Sequence, residues 1–112
     1  MKRIFHSGGS IVTGNELADA VMLYAEALGH RNETDLVDIP VVAADGSHGR
    51  AQILIGSSSA LMSVTSADGA RELTEPATSD AIRDKARFGS RLESLAWAGA
   101  PHGSPQFDEF DY

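Results

Sequence analysis

Leu17, Val21, Tyr24, Ala25 and Leu28 fall at i, i+4, i+7, i+8 and i+11, one stripe of an α-helix spanning about 14–30. Met22 and Leu23 widen that stripe, so the helix is expected to be substantially covered. Thr13-Gly14-Asn15-Glu16 has capping-box spacing, with a hydroxyl first and a carboxylate three residues on. Gly29 is the expected stop, because glycine adopts the left-handed conformation without a Cβ penalty. On the N-terminal side, Lys2 to His6 and Ser10 to Thr13 carry Ile4, Phe5, Ile11 and Val12 around Ser7-Gly8-Gly9, which predicts a β-hairpin.

Beyond the helix the period changes to two. Val37, Ile39 and Val41 alternate along 34–43, and Pro40 is expected at an edge or bulge because it cannot donate to a ladder. Ala51, Ile53 and Ile55 mark a strand over 50–55, and 60–65 is another candidate. Together 34–66 reads as an antiparallel meander. A second helix is expected from Thr78 or Ser79 to about Trp97, with Ala81, Phe88, Leu92 and Leu95 on one stripe and Gly89-Ser90 weakening it. The predicted fold class is α+β: an N-terminal hairpin, an amphipathic helix on a mostly antiparallel sheet, and a weaker C-terminal helix that docks loosely or ends early. Residues 1–98 are expected to form one domain, and 99–112 a linker and acidic-aromatic tail.

Charge narrows the partners. Nine basic and 16 acidic residues give a net charge of -7, so no nucleic-acid partner is expected. No apolar run approaches the roughly 20 residues of a membrane span, and none near the start makes a signal sequence. A cytoplasmic location without membrane association is the expectation. There is no cysteine, which excludes thiolate metal sites and cysteine nucleophiles. The four histidines lack the close spacing of a metal site, so no metal or other cofactor is expected.

Candidate chemistry is sparse. Gly56-Ser57-Ser58-Ser59-Ala60 lacks the second glycine of a nucleophile elbow, and Ser7-Gly8-Gly9-Ser10 lacks the lysine of a phosphate loop. If a ligand binds, its site is expected where loops 7–10, 45–50 and 56–59 converge, with Ser7, His48, Arg50 and Ser57 as contacts. The most unusual segment is Gln106-Phe107-Asp108-Glu109-Phe110-Asp111-Tyr112, which interleaves three acids with three aromatics. Phe107, Phe110 and Tyr112 are candidate partner-binding residues, with the acids steering and the rings anchoring. Docking of these rings onto the protein's own sheet is the competing expectation.

Two resemblances follow. The hairpin–helix–strand order resembles the β-grasp arrangement, which fixes no function. From Met1 to about Leu95, including the turn Gly46-Ser47-His48-Gly49-Arg50 and the Asp68-Gly69 step, the chain resembles small actinobacterial proteins of unknown function. Some of these carry a nucleotidyl-ligase label. That chemistry needs a nucleophile in Lys-x-Asp-Gly, and neither Lys2 nor Lys85 stands in that context. The leading expectation is a non-catalytic protein-interaction or regulatory module that binds a protein partner or a second copy of itself. The alternative is a small-molecule or nucleotide-binding protein, or an enzyme, using the three loops.

Overall fold

The structure, a computed structural model, describes residues 1–66 and 71–99, with side chains described up to Arg87. The fold is α+β. In chain order the elements are β1 (Lys2–His6), β2 (Gly9–Thr13), α1 (Asn15–His30), β3 (Thr34–Val42), β4 (His48–Gly56), β5 (Met62–Thr65) and α2 (Pro76–Gly99). The strands form one sheet in the order β4-β3-β2-β1-β5, with every neighbouring pair antiparallel.

The meander expected over 34–66 stops after two strands. β3 and β4 pair along their whole length, but β5 leaves β4 and pairs with β1. Periodicity marks a strand without naming its partner, and here Phe5 and Met62 meet across β1 and β5. Two features then determine the sheet's form. β2 joins β3 at a single residue pair, Val12 with Val42. And β4 and β5, at opposite ends of the strand order, are linked only by residues 57–61. A flat five-stranded sheet would set them about 19 Å apart. The linker spans about 20 Å only when fully stretched, and it opens with a turn in which the Ser59 N–H donates to the Gly56 carbonyl at 3.1 Å. The sheet therefore curls, and β4 comes round toward the β1–β2–β5 side.

Pro40 is not on an edge strand, since β3 lies between β4 and β2. The Thr13 hydroxyl donates to the Pro40 carbonyl at 2.8 Å, so this residue's polar side faces β2. It sits where the β2–β3 ladder has given way, and the missing N–H leaves no ladder bond unmade.

The core lies between the sheet and α1, with Ile4, Val21, Leu28, Ile39 and Ile55 buried together. Leu17, Val21, Tyr24 and Leu28 are buried as the stripe predicts, whereas Leu23 is exposed. The capping box does not form. Thr13 still belongs to β2 and turns its hydroxyl to Pro40, while Glu16 pairs with Arg83 at 3.2 Å. The first helical N–H, on Asn15, donates instead to the Glu72 carboxylate, whose other oxygen takes the Met1 amino group at 2.9 Å. Both contacts hold the Glu72 carboxyl below its ordinary range, the Met1 contact being the larger.

At the other end α1 runs through Gly29 to His30, and the left-handed residue is Asn32, at φ 57. The Glu33 N–H donates to Leu28 and the Asn32 N–H to Gly29, the paired bonds of a Schellman motif. α2 begins at Pro76 rather than Thr78, because proline's fixed φ suits a first helical position. It continues through Gly89-Ser90 to Gly99, so it does not end early. Ile82 and Ala86 are its buried pair, and Ala81 is exposed. Phe88, Leu92 and Leu95 lie beyond the described side chains.

A polar pair closes the core near the end of α1. The Tyr24 hydroxyl donates to the Asp35 carboxylate at 2.5 Å, and Lys85 of α2 stands 3.7 Å from the same oxygen. Burial, reinforced by Asp35, pushes the Tyr24 hydroxyl up to about 12. The bond from Tyr24 is the main cause of an Asp35 carboxyl held below its usual range. Asp35's contribution is complete above the unfolded carboxylate value of about 3.9 and fades as pH falls through the lower folded one. Tyr24's contribution is complete below about 10 and is lost as pH rises toward about 12. Tyr24→Phe is expected to cost about 1 kcal/mol at neutral pH, the low end for a bond to a charged group because Asp35 is partly solvated. Urea unfolding across pH checks this: the variant should lack the alkaline loss that the wild type shows.

Candidate groove beside the edge of β4

The sheet's curl leaves a groove of about 1040 Å³. One wall is the consecutive run Ala51-Gln52-Ile53-Leu54 of β4; the other is the β1–β2 corner, from Phe5 to Gly8, and residues 58–62. Consecutive residues of a strand point to opposite faces. A groove that touches four in a row therefore lies along the strand's edge, not on either face.

The pairing parity shows what that edge offers. The Ala43 N–H donates to the Ser47 carbonyl at 2.8 Å, so this position of the hairpin is a hydrogen-bonded pair. Such pairs alternate along an antiparallel ladder. The register then assigns the bonded positions to the odd residues: Ala51 faces Ile39, and Ile53 faces Val37. The even residues of β3 turn toward β2, and those of β4 turn outward. Two side-chain bonds agree. The Pro40 carbonyl is taken from the β2 side by Thr13, and the Leu54 carbonyl is taken from the outer side by the Ser59 hydroxyl at 3.3 Å. Gln52 thus presents its backbone N–H and C=O to the groove, and Leu54 its N–H. No backbone partner meets them among the described residues.

The lining is largely apolar. Leu54 is 64% exposed and Met62 55%, unusually open for large aliphatic side chains, and Ile11, Leu61 and Phe5 add to the surface. Its polar side chains are neutral amide and hydroxyl groups plus His6, whose Nδ1 accepts the Gly8 N–H at 3.1 Å. Among the described residues, none that lines it is an aspartate or glutamate. Among the described residues, no hydrogen bond links His6 to a serine of the groove.

The three loops expected to converge do so only in part. Ser7 lines the groove, with Ser58 and Ser59 facing it from the 57–61 linker. Ser57 is not among the lining residues, and its backbone N–H donates to the Glu33 carbonyl at 3.1 Å. The 45–50 loop stays at the far end of β4: His48 is paired across the sheet with Val42. Arg50 is engaged by Asp38 at 2.6 Å and Glu75 at 3.0 Å. That guanidinium holds the Glu75 carboxyl below its ordinary range. Asp45 is likewise held down, by the hydroxyl and N–H of Ser47, which makes this loop a self-contained turn. Phe107, Phe110 and Tyr112 lie outside the described residues.

Sequence reasoning missed Leu54, Met62 and Phe5. The signal was present for Leu54, an apolar residue on the phase opposite Ile53 and Ile55 in a strand with one buried face. Its partner across the ladder, Leu36, is also exposed, at 49%. Among the described residues, no three His, Asp or Glu side chains group as metal ligands, and no helix is long and apolar enough to cross a membrane. No family model matches the chain, and no curated protein or solved structure matches it.

Proposed function

We propose that the protein is a protein-interaction module that receives an extended peptide segment along the edge of β4. The observation that carries this reading is the coincidence of an apolar groove with a strand edge that has no backbone partner among the described residues. The outward backbone groups of Gln52 and Leu54 supply main-chain bonds, and Leu54, Phe5 and Met62 supply pockets for alternate side chains. An exposed edge of this kind is a template for another strand. The small-molecule alternative draws less support, because it required the 45–50 loop at the site and Arg50 is engaged elsewhere.

Selection of random seven-residue peptides displayed on phage against the full chain tests the proposal. Recovered peptides should carry apolar or aromatic residues at alternate positions. Leu54→Glu, at a site already exposed, should leave folding intact and weaken their binding by at least about tenfold. Recovery of no binders, or equal binding to Leu54→Glu, would contradict it.

A further inference from the structure

β2 and β3 separate after one residue pair, and the cleft between them carries a cation that meets no carboxylate among the described residues. We propose that this cleft is a second binding site, for a small organic monocarboxylate with an aliphatic body. The inference goes beyond the reading above and does not rest on it, since the cleft shares only Ile11 with the lining of the β4 groove.

The ladder parity places main-chain groups in the cleft. The Ser66 N–H donates to the Met1 carbonyl at 3.0 Å, one step beyond the Lys2–Thr65 pair. The odd residues of β1 therefore bond to β5 and the even ones to β2. The register carries this across: Ile11 and Thr13 turn their backbone groups to β1, while Ser10 and Val12 turn theirs to β3. Val12 meets Val42 there. Two residues on, Ser10 would meet Ala44, but the chain has already turned. The Ala43 N–H goes to the Ser47 carbonyl and the Gly46 N–H to the Ala43 carbonyl. The Ser10 N–H and C=O have no backbone partner among the described residues. They open into a cleft of about 300 Å³. It touches Ser10 to Val12 in a row and Val41 to Ala44 in a row, which places it between the two strands.

Arg3 supplies the charge. Lys2 reaches Asp19 of α1, so Arg3, the next residue, lies on the opposite face of the sheet. It stands across the ladder from Val12, and its Nη1 donates to the Ser10 hydroxyl at 2.9 Å, which sets the guanidinium at the cleft. Lys2, Arg31, Arg50, Arg83, Lys85 and Arg87 each pair with a carboxylate, whereas Arg3 pairs with none among the described residues. The bond to Ser10 leaves the guanidinium further N–H donors, and the hydroxyl, accepting from Arg3, keeps its own proton to donate. A carboxylate in the cleft thus meets a guanidinium, a hydroxyl and the Ser10 N–H, and the planar fork of arginine suits its two oxygens. The remaining walls, Val12 and Val41 to Ala44, are aliphatic and take a short apolar body. Their volume is at the low end for small-molecule sites. One guanidinium in a chain of net charge -7 balances one negative charge, which favours a monocarboxylate over a phosphate dianion.

Titration of the full chain with sodium isovalerate at constant ionic strength, followed by nuclear magnetic resonance, tests the proposal. The Ser10 amide and Arg3 Nε–H signals should shift and saturate, with a dissociation constant of about 1 mM for so small a ligand. Isovaleramide, the same body without the charge, should bind at least about tenfold more weakly, and so should isovalerate to Arg3→Gln. The isovaleramide comparison needs no variant, so it decides even where Arg3→Gln disturbs β1. Absence of saturation at Ser10 and Arg3 by about 50 mM would overturn the proposal. So would equal binding of isovaleramide, which would remove the role of the charge. Inorganic phosphate binding as tightly as isovalerate would overturn the assigned class of ligand.

Discussion

Gly56→Ala is expected to cost about 3 kcal/mol or more, lowering the melting temperature by about 10 °C or more. Two causes add. Gly56 ends β4 at φ +144, a conformation that L side chains rarely adopt. A Cβ there would lie 2.2 Å from the Glu33 carbonyl oxygen and 2.7 Å from the Thr34 Cα, both backbone atoms. Relief would require Glu33 to move, yet its carbonyl holds the Ser57 N–H and its own N–H closes the Schellman motif at the end of α1. The strain therefore spreads to the helix terminus and to the linker that curls the sheet. Gly46→Ala separates the causes: its φ of +87 is also unfavourable, but nothing lies within 4 Å of the added carbon. It should cost only about 1 kcal/mol. Urea unfolding followed by circular dichroism gives both values, and equal losses would show that the close approach of Glu33 to Gly56 carries no stability.

Gly14→Ala should cost a comparable amount, about 3 kcal/mol, for a purely steric reason. Gly14 has φ -69 and ψ 159, which any residue adopts. Its Cβ, however, would fall 1.7 Å from the Leu73 carbonyl oxygen and 2.8 Å from the Leu73 carbonyl carbon. The Glu72–Leu73 segment must then withdraw, taking with it the carboxylate that caps α1 at Asn15 and the Leu73 N–H bond to the Met1 sulfur at 3.3 Å. The control is Gly29→Ala. That site is helical with open space around it, so alanine should add about 0.5–1 kcal/mol of stability. Denaturant midpoints that move in opposite directions for the two variants would confirm the distinction; a shared direction would contradict it.

These two glycines show where local reading stops. The amphipathic stripe of α1 and the alternation of Val37, Ile39, Ile53 and Ile55 are local patterns, and the helix and strands they predict are present. The choice of β1 as the partner of β5, the cap supplied by Glu72 and the close approaches at Gly14 and Gly56 join residues far apart in the chain. No spacing rule reaches them. Capping chemistry misled at Thr13 because the same hydroxyl also bridges strands, and the buried Pro40 carbonyl took it first. The site was half legible. Ser7 lies at the groove with Ser58 and Ser59, but Ser57, the serine expected there, does not line it, and Arg50 is engaged by Asp38 and Glu75, pairings that nothing near it in sequence announces. Leu54 could have been found from its phase alone.

The central claim is that the edge of β4 accepts a strand, and the parity of the ladder makes it testable residue by residue. Amide exchange should be recorded on the full chain with and without a saturating peptide from the phage selection. Slowing at Gln52 and Leu54, with Ala51 and Ile53 unchanged, is the result the account predicts, because only the outward N–H groups gain a partner. Peptide binding that leaves Gln52 and Leu54 exchanging at their free rates would contradict the account.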